Sequence, residues 1–281
     1  MSLIKNSISG IKQGFKFRRV ASYIFLIQLF LGLLIGFLAI NYVNSSIGSS
    51  TNLMKIIEGY NHDVFQDLLR FENTGWSMIK TFIWLVLLIY FLIGPFIMGG
   101  LLSAYHSGKD EWNIFWGGGS KWYSPFLKLN FFIFLCLIIM LSILGAIGFF
   151  FTNYSLANML TEIPSLVAIF SLIFLFILYV IYIITISTKA KWNMIRNGEI
   201  TVWKNFKAAS KEVRSRFRYF IFLGLLFLIV SLAFGFLANT LINCVPESGF
   251  ALMSLAFLMQ LIVLFLRVFL RNAYYAAMLA N

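Results

Sequence analysis

Charge is scarce in this chain: 11% of its 281 residues are Asp, Glu, Lys or Arg, where soluble domains carry roughly a quarter. So little charge excludes a soluble globular protein. Histidine and cysteine occur only twice each, too few for a zinc, haem or iron–sulfur spacing. Cys136 falls within an apolar run and Cys244 in a short loop. They belong to different membrane depths, so no disulfide is expected. HExxH, GxSxG and Walker signatures are absent. Gly117–Gly119 lack the Lys and Ser/Thr of a phosphate loop, and no strand precedes them. No catalytic residue, metal or cofactor is expected.

What the chain has instead is apolar sequence: 60% of it is hydrophobic, including 32 Phe. These residues are gathered in runs of about 20, the length that crosses a hydrocarbon core as helix. The runs are Val20–Ile40, Thr81–Ser103, Leu129–Thr152, Pro164–Thr188, Tyr219–Ala238 and Phe250–Leu266. They predict an all-α, polytopic membrane protein, with six transmembrane helices in three hairpins and residues 1–281 as one integral membrane domain. Arg18 and Arg19 ahead of the first run mimic a signal peptide. That run is too long for a typical signal core and no small-x-small site follows, so the first span is expected to stay uncleaved.

The cations lie on one side. The segments expected on that side hold nineteen Lys and Arg against four acidic residues; the other side holds three against six. The positive-inside rule then puts both termini in the cytoplasm, the expected location being a bacterial inner membrane. Within "KNFKAASKEVRSRFRYF", Lys204, Lys207, Lys211, Arg214 and Arg218 share one helical face, while Phe206, Ala209, Val213, Phe217 and Phe220 share another. That pattern predicts an interfacial amphipathic helix on an anionic leaflet, its aromatics in the acyl boundary. Each cation contributes about 1 kcal/mol there. Lipid and orientation account for the positive charge, so no nucleic acid partner is expected.

The N-terminus repeats the device, with Ile4, Ile8, Ile11 and Phe15 on one stripe and Lys5, Lys12, Lys16 and Arg19 on another. A third version before span three is broken by Gly117–Gly119 and Pro125. Laid on the Gly198 segment at an offset of 90, it matches Gly108 with Gly198 and Lys121 with Lys211. Three units follow, 1–103, 104–188 and 189–281. Each is an amphipathic helix, a span, an outer loop and a returning span, so amphipathic helices are expected before spans 1, 3 and 5.

With Asn197-Gly198, Trp203 to Phe206 and Ala209 to Arg218 in this setting, the chain resembles bacterial six-span membrane proteins. These are grouped with the membrane domain of glycerophosphodiester phosphodiesterases and related domains of unknown function. The resemblance implies a scaffold or accessory role rather than phosphodiesterase activity, since no hydrolase domain is present here.

No ionisable residue lies in the middle of these runs, which disfavours a proton relay. Arg267 and Arg271, one turn apart, read as anchors at the inner interface. The sharper alternative is a lipid- or anion-binding pocket completed by Lys189 or His106. Gly32 and Gly36 form a small-xxx-small packing motif. Gly94-Pro95 with Gly99 and Gly100 should loosen span two, where a cavity would also involve Gln260. In the first outer loop, Glu58, His62, Asp63 and Asp67 read as a solvated acidic face rather than a metal site. The leading functional expectation is a non-enzymatic scaffold or accessory subunit, with anionic lipids and a protein partner or second copy as its contacts. The alternative is a transport or lipid-handling component with a cavity near Arg267 and Arg271. An integral-membrane enzyme built on His106 with Asp110 or Glu111 is third.

Overall fold

The computed structural model describes residues 3–47, 73–158, 163–243 and 250–279. The acidic loop residues Glu58, His62, Asp63 and Asp67, and Cys244, lie outside them; Cys136 is a free thiol. Among the described residues there are eight helices and no strand: α1 (Leu3–Lys16), α2 (Arg18–Ile47), α3 (Asn73–Ser107), α4 (Trp112–Asn158), α5 (Ile163–Asn197), α6 (Val202–Ser215), α7 (Phe217–Asn243) and α8 (Phe250–Leu279). Six of them, all but α1 and α6, are long and apolar enough to cross a membrane. The all-α, six-span architecture is therefore that of the sequence reading.

The two short helices are set off from their spans by single residues. Phe17 separates α1 from α2, and Arg216 separates α6 from α7. The segment before the third span differs. Trp112–Asn158 is one 47-residue helix running through Gly117–Gly119 and Pro125, so the expected break is not there. The helix is held by its neighbour rather than by propensity. A Cβ at Gly100 of α3 would fall 2.6 Å from the Phe115 carbonyl oxygen, and one at Gly119 of α4 would fall 3.0 Å from that of Phe96. Backbone meets backbone at this crossing, as small residues allow.

The described chain forms two compact units, Met1–Ser22 with Pro95–Asn281, and Tyr23–Gly94. The second comprises apolar parts of α2 and α3, with Phe30, Phe37 and Trp84 among its exposed side chains. In the first, α1 packs along α8, and α4 along α5; α5 also touches α6, α7 and α8. Its buried core draws on Trp122, Phe126 and Leu129 of α4, Ile183, Ile186 and Met194 of α5, Phe220 and Leu223 of α7 and Ala273 and Ala277 of α8. These residues cluster near the basic segments. The opposite ends of the same helices turn large apolar side chains outward, such as Phe150, Phe170 and Phe236. Burial therefore concentrates at the basic end, and the apolar exterior beyond it suits hydrocarbon.

Gly108 and Gly198, paired by the 90-residue offset, have φ of 71° and 69°. Each ends a helix in the left-handed region that a glycine enters without strain.

Candidate functional site

The most polar stretch of α5 is also its most buried. Every residue from Thr185 to Lys191 is buried, and the polar groups find partners from several helices. Thr185 donates to or accepts from the Tyr274 hydroxyl at 3.3 Å and bonds the Ile181 carbonyl at 2.7 Å. Thr188 donates to the Ile184 carbonyl. The Lys189 ammonium donates to Glu212 of α6 at 3.0 Å and lies 5.4 Å from the Phe220 ring. Lys191 points to α4, donating to Asn130 Oδ1 at 2.7 Å and lying 5.7 Å from the Phe126 ring. Two buried lysines thus tie one helix to its neighbours on different sides. A buried ammonium is tolerated only with such partners. Read as sequence, residues from Lys189 onward look like surface loop, since nothing local announces that Asn130 and Glu212 meet them.

Both surface helices dock a face on the bundle. In α6, Asn205, Ala209 and Val213 are buried. The Asn205 amide donates to the Thr201 and Glu199 carbonyls and so braces the turn that enters the helix. Three residues of the expected apolar face, Ala209, Val213 and Phe220, the last of them expected in the acyl boundary, are part of the protein core. They share a helical stripe that α5 covers, whereas Trp203 and Phe217 stay exposed. Lys204, Lys207, Lys211, Arg214 and Arg218 are all exposed, with Lys204 paired to Glu199 at 2.9 Å.

Helix α1 uses a stripe that the apolar pattern conceals. Gly10 and Gly14 face Ala273 and Ala277 of α8; a Cβ at Gly10 would fall 2.6 Å from that of Ala277. Phe15 and Phe269 flank this contact with ring centroids 4.6 Å apart. Ile8, Ile11 and Phe15 remain exposed beside exposed Lys12 and Lys16.

The expected cavity residues are distributed differently. Pro95, Gly99 and Gly100 are buried, and the two glycines are filled by α4 rather than lining a space. A Cβ at Gly32 or Gly36 would meet nothing within 4 Å, so that motif packs against none of the described residues. Gln260 is exposed. Lys189 is committed to Glu212, and the His106 ring stands edge-on to Trp192 at 6.0 Å. The pocket proposed for Arg267 and Arg271 is therefore not completed by Lys189. Asp110 is committed too: its carboxylate accepts the Arg19 and Val20 N–H groups at 2.9 and 3.0 Å, capping α2 across 91 and 90 residues of sequence. Such a cap satisfies the free donors of a helix start.

Arg267 lies on α8 just past the expected end of the last run at Leu266, where the helix continues unbroken and buries Val268, Ala273 and Ala276–Met278. Its guanidinium lies directly over Gly235 of α7. Arg271 is half-buried. The neighbouring Asn272 side chain is buried, and its backbone carbonyl accepts the Tyr105 hydroxyl at 3.0 Å.

Compared with protein-family models, curated proteins and solved structures, the chain matches none.

Proposed function

We propose that this protein is a non-enzymatic integral membrane scaffold or accessory subunit whose basic face rests on an anionic leaflet. The observation that carries the reading is shared by α1 and α6. Each buries one stripe against the bundle and leaves a row of exposed cations beside exposed Ile, Phe or Trp side chains. Apolar side chains next to cations suit the boundary between headgroups and acyl chains. Each free cation near an anionic surface adds about 1 kcal/mol. The proposed setting is a bacterial cytoplasmic membrane with both termini inside, as the uneven distribution of Lys and Arg favours. The likeness to the membrane domain of glycerophosphodiester phosphodiesterases agrees with an accessory role beside a protein partner or a second copy.

Native mass spectrometry of protein taken from nanodiscs of mixed phosphatidylcholine and phosphatidylglycerol tests this. Wild type should retain phosphatidylglycerol preferentially, and the quadruple variant K204Q/K207Q/K211Q/R214Q should lose that preference. Equal retention by both, with no co-purifying subunit, would sink the proposal. Orientation is tested on a cysteine-free background: Lys207→Cys should react with an impermeant maleimide only after cells are opened, and Thr240→Cys in intact cells.

A further inference from the structure

We infer that α8 is the seam on which a second copy of this chain docks, with Gln260 of one copy hydrogen-bonded to Gln260 of the other. Helix α8 runs unbroken from Phe250 to Leu279. Its basic end is marked by Phe269, packed on Phe15 of α1, and by Asn272, whose carbonyl accepts the Tyr105 hydroxyl. Gln260 lies nine residues from Phe269 and ten from Phe250, about 14 and 15 Å at 1.5 Å per residue. Against a hydrocarbon core of about 30 Å, that is the middle of the span. There its side chain is exposed, and no described residue hydrogen-bonds it. Its amide carries a carbonyl acceptor and an NH2 donor that hydrocarbon cannot satisfy, and such groups join membrane helices to one another.

The surroundings of Gln260 suit a packing seam. Phe257, Gln260, Leu264 and Arg267 recur at steps of three and four, the spacing at which one helix meets another along a left-handed seam. Phe257 is exposed and Leu264 half-buried. Arg267 turns its guanidinium onto Gly235 of α7, off the seam, so the like charges of two copies are kept apart. The chemistry of the amide selects a second copy as the occupant. Two copies of one topology are related by a twofold axis along the membrane normal, which sets each residue opposite its own counterpart at the same depth. A primary amide both donates and accepts, so two Gln260 side chains satisfy each other reciprocally.

The inference deepens the scaffold reading, in which a second copy is one of the contacts, and rests on the six-span topology rather than on the lipid surface. Phe257→Cys, Leu264→Cys and Ile262→Cys are made singly on a Cys136→Ser/Cys244→Ser background, with Gln260 kept, and oxidised in native membranes. Ile262 is also exposed, but two residues on from Gln260 it faces the other side of the helix. Phe257→Cys and Leu264→Cys should give disulfide-linked dimers on a non-reducing gel, and Ile262→Cys should not. Adding Gln260→Leu should lower the dimer yield at position 257 by about five- to tenfold, the loss of an interhelical hydrogen-bonded pair. Gln260→Asn should retain part of it. The quadruple α6 variant K204Q/K207Q/K211Q/R214Q should dimerise like wild type, which separates failure here from failure of the lipid-facing proposal. Melts in detergent establish that Gln260→Leu is folded; should it not fold, the pattern across 257, 262 and 264 decides with Gln260 intact. Equal yields at the three positions, or no dimer at any of them, overturn the inference. So does a cross-link to a different protein, or a yield that a folded Gln260→Leu leaves unchanged.

Discussion

The Lys189 ammonium donates to Glu212 at 3.0 Å, and its side chain is 3% exposed against 36% for its partner. One member of this pair is sealed in the bundle and the other faces the rim, so the bond fastens surface helix α6 to α5. The two ends are not equivalent in energy. Glu212→Ala strands a buried ammonium and should cost roughly 2 kcal/mol, below the 3–5 typical of fully buried pairs because water can reach from the carboxylate side. Lys189→Met leaves only a rim carboxylate unpaired and should cost less than half of that. Thermal melts in detergent of the two single variants and the double variant measure the asymmetry; equal losses would refute it.

The glycines at the α3–α4 crossing should respond with opposite signs. At Gly100 a methyl group meets Phe115, and Gly100→Ala should destabilise by about 1–3 kcal/mol through overpacking. At Gly117 a Cβ meets nothing within 4 Å, so Gly117→Ala should stabilise by roughly 0.5–1 kcal/mol through helix propensity. The same melts decide, and loss at Gly117 would show a hidden neighbour.

Helix α1 is held to α8 across small residues. Gly10→Leu should cost about 1–3 kcal/mol at that contact and raise hydrogen exchange of residues 3–16 by roughly tenfold or more. The six long helices should be unaffected. Exchange that rises across the whole chain would mean the contact is part of the global fold rather than a local dock.

Asp110 caps α2 from a distant loop. Asp110→Ala should lower stability by about 1 kcal/mol and Asp110→Asn by less, since the amide oxygen still accepts. No change in either variant would remove the cap as a contributor.

Much of the fold could be read from the residues because a bilayer imposes so few solutions. A run of about 20 apolar residues must close its backbone hydrogen bonds within itself, and helix is the local way to do so. The cationic rows on α1 and α6 were likewise visible, since 3.6-residue periodicity is local. The reading erred where a neighbour decides. Gly117–Gly119 and Pro125 look like breakers in isolation, yet α3 packs against that segment and the helix continues. Ala209 and Val213 look like lipid-facing residues until α5 is found to cover them. Gly10 and Gly14 carry no hydrophobic signal, although α8 rests on them.

The sequence by itself determined the class: all helix and six spans, with the positive charge gathered in a few segments. Each of these follows from hydropathy and local hydrogen bonding. Only the tertiary structure decided how the polar residues are used. The buried Thr185–Lys191 stretch, the capping role of Asp110 and the position of Arg267 over Gly235 join residues that chain distance keeps far apart. No periodicity encodes such pairings, because they depend on which helices pack together and in what register.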